Sequence, residues 1–164
     1  MVELDPLTAL TITLSQPNLS SAEKRLAICK TLSQTVHRAD RVNLWQFSQD
    51  QQAIHCVMHY EKHTQMTSHG QVLSRKDYPN YFNAIIKSQW VVVNHAREHE
   101  DTRCFNEGYF EPNDIYSLLD FVFHGEGEPL GIICCEAIGE LTIWSDADLT
   151  VMKRIASITS MFYH

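Results

Sequence analysis

No Lys/Arg-rich stripe, no long apolar run, no CxxC pair and no glycine-rich phosphate loop occurs in this sequence. Each absence removes a class of function. The 13 basic residues stand against 20 acidic ones, a formal net charge of −7. A phosphate backbone or an anionic membrane surface is repelled on average, so no nucleic-acid or membrane partner is expected. No apolar stretch approaches the roughly 18–20 residues that a membrane helix needs. The opening MVELDPL is acidic and has no basic region ahead of an apolar one, so it does not read as a secretory signal. Five cysteines, an odd number, show no spacing of a disulfide framework. Reduced thiols in a cytoplasmic compartment are the expectation, and without CxxC a zinc ribbon is excluded. There is no internal repeat and no low-complexity segment.

What is present is an ordinary globular composition, 44% apolar and 20% charged, in 164 residues. That length fits one domain with a real core. Asp5-Pro6 followed by Leu7, Leu10 and Leu14 predicts a short capped helix. Ser20 and Glu23 form a capping box, and Ala22, Leu26, Cys29, Leu32 and Val36 behind it predict a helix to about residue 38. Strands are predicted over 41–47 and 53–60, joined as a hairpin. Strict alternation in the second places Ile54, Cys56, Met58 and Tyr60 on one face, and His55, Val57 and His59 on the other. Residues 66–73 are a weaker strand, interrupted at Gly70.

Asp77 is the expected cap of a helix over 78–87, followed by a short buried strand over 90–94. The polar segment 95–113 is expected to hold a helical turn or two near 102–109. The strongest strands are 117–124 and 130–138, separated by the acidic turn 125–129, which reads as a solvated hairpin. Ser145 and Asp148 form a second capping box for a helix over 146–162. Its stripe of Leu149, Met152, Ile155, Ala156 and Phe162 is widened by Val151, Ile158 and Met161. A helix apolar on two sides is buried on two sides, against either the first helices or another subunit.

Several runs together resemble the GAF domains of bacterial signalling proteins. Arg41-Val42-Asn43-Leu44-Trp45 is similar to the family's first strand. Tyr78-Pro79-Asn80-Tyr81-Phe82-Asn83-Ala84 is similar to the YPxYFxA helix of one bacterial branch. Asn94-His95-Ala96 through Thr102 and Phe105 is similar to its DA…DPRT…F segment. Gly108-Tyr109-Phe110, Ile115, Ser117 and Leu119-Asp120 follow its next run, and Leu130 to Glu136 its GxxxGVLCxE strand. Trp144-Ser145 and the last helix match its ending. The resemblance covers about residues 20–162. His95 departs from the family's usual Asp, and Phe123 from a common Pro. The resemblance implies an α+β fold: a central antiparallel sheet of five or six strands, terminal helices on one face, and a pocket-covering helix and loop on the other. It divides the chain into an N-terminal helical extension, 1–18, and a GAF domain, 19–164.

The pocket candidates under that cover are Tyr78, Tyr81, Phe82, His95, Cys104, Tyr109 and Phe110. The aromatic rings either stack on a flat ligand or fill the space beneath the cover. His95 and His99 are four apart with Cys104 nearby, a set that suits zinc or iron. The spacing is not HExxH, so an exposed or structural role is expected and no metal is assigned. Related photoreceptors attach a linear tetrapyrrole near the place of Cys104, but there a His usually follows and here Phe105 does. Cys134 and Cys135 are adjacent on a strand and point to opposite faces, so they cannot serve one thiol active site. The Asn-Lys-Phe-Asp-Glu signature of cyclic-nucleotide GAF domains is absent.

The resulting expectation is a non-catalytic sensory or regulatory domain. It binds an unassigned small molecule, dimerises through its terminal helices, or does both, and it acts on an output domain or partner protein. No cofactor is named. Two other classes stay open: a purely structural dimerisation module with a filled pocket, and a thiol- or metal-dependent enzyme or bilin photoreceptor on the same fold.

Overall fold

The structure, a computed structural model, describes residues 3–163. The expected division at residue 18 includes residues 1, 2 and 164, which lie outside the described residues. Helix α1 (Pro6–Leu14) starts at Asp5, whose carboxylate accepts the Thr8 amide N–H at 3.1 Å. Helix α2 (Ser21–Thr35) and helix α4 (Asp146–Phe162) each begin in a full capping box, Ser20 with Glu23 and Ser145 with Asp148. The hydroxyl accepts one free amide and the carboxylate another, so two orphan donors are satisfied at each start.

The chain between α2 and α4 forms one sheet of seven strands, all paired antiparallel, in the order β3-β2-β1-β7-β6-β5 with β4 also on β2. The long strands are β1 (Arg41–Phe47), β2 (Ala53–Glu61), β6 (Ile115–Gly125) and β7 (Glu128–Ile138). β5 (Trp90–Val93) is the short edge. The 66–73 stretch divides into β3 (Thr67–Ser68) and β4 (Val72–Ser74) around Gly70, at φ +110. The predicted five-residue turn is tighter than expected. Gly125 pairs with Glu128, leaving Glu126 and Gly127 as a two-residue loop with φ of 54 and 81. Positive φ at both positions matches the right-handed twist of the flanking strands.

The sheet buries both faces. On one, Val42, Leu44, Leu119, Phe123, Ile133 and Cys135 pack beneath α1, α2 and α4. Leu7, Leu10 and Leu14 of α1 belong to that core, and α1 lies against both α2 and α4. On the other, Trp45, Ile54, Leu118 and Ile132 meet helix α3 (Pro79–Ser88) and the segment after β5. Among the described residues no helix is long and apolar enough to cross a membrane.

Three local expectations are corrected. Asp77 does not cap α3; the cap position is Tyr78, which makes no side-chain capping bond, and Pro79 opens the first turn. β5 is a half-covered edge: Val91 and Val93 are buried, but Trp90 is 53% exposed and stacks on Phe121. The alternation of β2 is broken by a bulge, since Leu44 pairs with Met58 while its neighbour Trp45 pairs with Cys56. Val57 is the extra residue. Ile54 and Cys56 therefore face α3, Met58 and Tyr60 face the terminal helices, and His59 turns to the α3 side with Asn43.

Candidate functional site

Under α3 and the 95–113 cover the sheet presents charge where an apolar core would be cheaper. β6 carries Leu118, Asp120 and Val122 towards the cover, and β7 carries Ile132, Cys134 and Glu136. Asp120 and Glu136 are each 1% exposed. The cover above them is irregular: a 3-10 turn (Arg103–Phe105) runs into a π-helix (Asn106–Phe110). This pitch delivers Phe105 and Phe110 inward together with the Tyr109 hydroxyl. π-Helical turns are uncommon and cluster at functional sites.

Two hydrogen-bond systems meet there. In the first, Glu136 accepts from the Tyr109 hydroxyl at 2.6 Å and from Asn43 Nδ2 at 2.9 Å, with Arg41 Nε 3.5 Å away. Arg41 Nε also donates to His59 Nε2 at 3.1 Å, and His59 Nδ1 bonds Asn43 Oδ1. This pattern specifies a neutral His59 with its proton on Nδ1. Burial and the Arg41 charge push the His59 pKa down to about 4, in keeping with that state. Burial raises the Glu136 pKa, and Arg41, Tyr109 and Asn43 oppose the rise. The carboxylate is thus held at both oxygens, and Arg41 also lies 5.9 Å over the Tyr109 ring.

In the second system Asp120 accepts from the Tyr81 hydroxyl of α3. The Cys134 side chain faces it across the β6–β7 ladder. A thiol is a weak donor, and among the described residues Asp120 Oδ1 has no hydrogen-bond partner. Burial pushes the Asp120 carboxyl up to about 7; the Cys134 and Tyr81 contacts pull it back and the Glu136 charge adds to the rise. Burial and the neighbouring carboxylates hold the Tyr81 and Tyr109 hydroxyls and the Cys134 thiol well above their ordinary values. None of these three groups is an anion at neutral pH.

Both systems border one cavity of about 30 Å³. Trp45, Phe105 and Phe110 supply aromatic walls, and Asp120 and Glu136 the polar ones. A space of that size holds a water-sized group or slightly more, far below the several hundred Å³ of typical small-molecule pockets.

The sequence-derived candidates separate on this geometry. Tyr81, Tyr109 and Phe110 line the cavity. Phe82 is fully buried behind Tyr81, edge to face at 6.2 Å, and is not part of the lining. Tyr78 stacks on Phe105 at 4.4 Å as an outer layer. His95 is exposed and borders a surface groove with Arg97, Glu98 and Tyr116. Cys104 is exposed outside the cavity, and desolvation of the thiol raises its pKa, so it is not an activated thiolate at neutral pH. Among the described residues no group of three or more His, Cys, Asp or Glu is placed to hold a metal ion.

The residues missed by sequence reasoning are Arg41, Asn43, His59, Asp120 and Glu136. A signal existed for the two acids, each a lone charge within an almost wholly apolar strand (SLLDFVF and GIICCEA). None existed for His59, because its facing depends on the bulge.

No family model matches this sequence, and no curated protein matches it significantly. Solved structures do. The GAF domain from an Acinetobacter phosphoenolpyruvate-protein phosphotransferase superposes with a TM-score of 0.73 at 11% identity, over 99% of this chain and 94% of that one. The phycocyanobilin-bound GAF domain from a cyanobacterial phytochrome gives 0.72 at 18% identity, over 98% and 94%. The chromophore-binding domain of a Stigmatella aurantiaca bacteriophytochrome gives 0.72 at 9% identity, over 95% of this chain; here the chain spans 58% of its counterpart. Identities this low establish architecture and leave ligand chemistry open. The superpositions on the two isolated GAF domains extend over nearly the whole of both chains, and the chain has the GAF fold.

Proposed function

We propose that this is a non-catalytic sensory domain of a bacterial signalling protein, cytoplasmic, whose responsive centre is the Asp120–Glu136 cavity. One observation carries the reading: two carboxylates are buried under an irregular aromatic cover. Burying charge is costly, and well-packed apolar residues at such positions are commonly neutral or stabilising. A core selected only for stability has no use for Asp120 with an open oxygen.

A route from cavity to output is built into β6. The Leu118 side chain lines the cavity while its carbonyl accepts the Trp144 indole N–H at 3.0 Å, one residue before the α4 cap Ser145. At the other end of α4, Ser160 Oγ accepts the His124 amide N–H at 2.8 Å. A ligand that shifts β6 changes the seat of α4, provided it binds one arrangement more tightly than the other. The terminal helices are the surface through which a homodimer, an output domain or a partner protein receives the change.

A second reading has its own support. A cavity of about 30 Å³ is nearly filled by its own rings, as in a structural dimerisation module. A thermal-shift screen of chemically mixed small molecules separates the two. The sensory reading expects ligands whose stabilising effect is lost in Leu118→Ala or Tyr109→Phe. Uniform absence of response, or responses indifferent to both substitutions, favours the filled module.

A further inference from the structure

The geometry points to a primary ammonium ion as the ligand of the cavity, its N–H donors directed at Asp120 Oδ1. This deepens the sensory reading and rests on it. Among the described residues Asp120 Oδ1 is a buried acceptor with no hydrogen-bond partner beyond the weakly donating Cys134 thiol that faces Asp120, on a residue 1% exposed that borders the cavity. In the ionised carboxylate, only a donor completes it. Glu136 is already held by Tyr109, Asn43 and Arg41, so Asp120 is the free anchor.

Three features select a cationic donor over a neutral one or an anion. The two carboxylates share one nearby guanidinium, that of Arg41, which is directed at Glu136 and His59. The remaining walls include the rings of Trp45, Phe105 and Phe110, and aromatic faces attract ammonium and repel anions. The site lies where charge is poorly solvated, so an unmatched anion is penalised and a matched cation gains. The size is also informative. About 30 Å³ accommodates an ammonium head with a short alkyl group, and a longer body requires the 95–113 cover to lift.

The test is an amide and side-chain NMR titration of the full chain with methylammonium chloride, with sodium chloride at equal ionic strength and methanol as controls. The same titration is run on Asp120→Asn. The expected result is saturable shifts at Asp120, Tyr81, Cys134 and Phe110 with methylammonium. Asp120→Asn weakens the response by tenfold or more, and sodium chloride and methanol leave these signals in place. Mapping in the wild type stands even if the variant folds poorly. Equal affinity in a folded Asp120→Asn, or shifts confined to the protein surface, overturns the proposal. So does methanol matching methylammonium, which identifies a simple hydroxyl or water site. Acetate and toluene are added as probes of opposite character. If either saturates the cavity while methylammonium does not, the ammonium assignment fails and the sensory reading survives. If no probe perturbs the cavity, both fail.

Discussion

Asp120 and Glu136 lie on the same face of adjacent strands yet sit in different chemical settings. Glu136 has three partners, including a cation; Asp120 has one firm donor, Tyr81, with Cys134 and Glu136 as its other ionisable neighbours. In the unfolded chain the Asp120 carboxyl titrates near its ordinary value of about 4; in the fold it titrates at about 7. Folding therefore favours the protonated form. The contribution of this group is full below about pH 4 and is lost as pH rises through about 7. Asp120→Asn removes that dependence. Urea unfolding of both proteins at pH 5 and pH 8 should show the wild type losing about 2–3 kcal/mol relative to the variant between the two values. A pH-independent difference contradicts the assignment.

Arg41 gives the complementary case. Arg41→Met leaves Glu136 buried without its counter-charge and is expected to cost on the order of 3–5 kcal/mol at pH 8. The loss should shrink on acidification, as Glu136 becomes protonated.

At the scale of elements, the helices and the long strands were legible because their signals are local. Capping boxes at Ser20 and Ser145, a proline at the start of α1, and apolar runs each lie within a few residues of what they specify. The site was less legible because it depends on register between strands. The bulge at Val57 turns His59 inward, and the only local mark of it in AIHCVMHY is the apolar run Cys56-Val57-Met58, which does not by itself specify a bulge. The aromatic cover could be read from YPNYF and GYF, and Tyr81, Tyr109 and Phe110, singled out from those runs, line the cavity. Exposed His95 and Cys104 were singled out by chemistry alone, which carries no information on facing.

Register also explains Gly131, opposite Gln46 on β1 and Phe123 on β6. A Cβ there would lie 2.1 Å from the Trp45 carbonyl oxygen and 2.4 Å from the Phe123 ring. Gly131→Ala must part β1 from β7 and is expected to cost about 3 kcal/mol or more. A denaturation midpoint within experimental scatter of the wild type would contradict the β1–β7 pairing.

For the whole molecule, the same sheet joins a polar cavity on one face to three helices on the other. Ile158 is half-buried beside that core, while Ile12 and Met161 are 49% and 62% exposed. If these helices pair with a second copy, Ile158→Glu should convert a dimer to a monomer in sedimentation while the far-ultraviolet circular dichroism is retained. A folded variant that remains dimeric places the interface elsewhere. If a signal crosses the sheet through β6, ligand-dependent amide exchange should appear in α4 as well as in the cover.

The most direct measurement is a pair of mass spectra, native and denaturing, of the purified wild type and of Asp120→Asn. A cavity with a resident ligand predicts excess mass in the native wild type that disappears on denaturation and is missing from the variant. Bare protein mass in both native spectra would contradict a ligand-responsive centre and leave the filled structural module in its place.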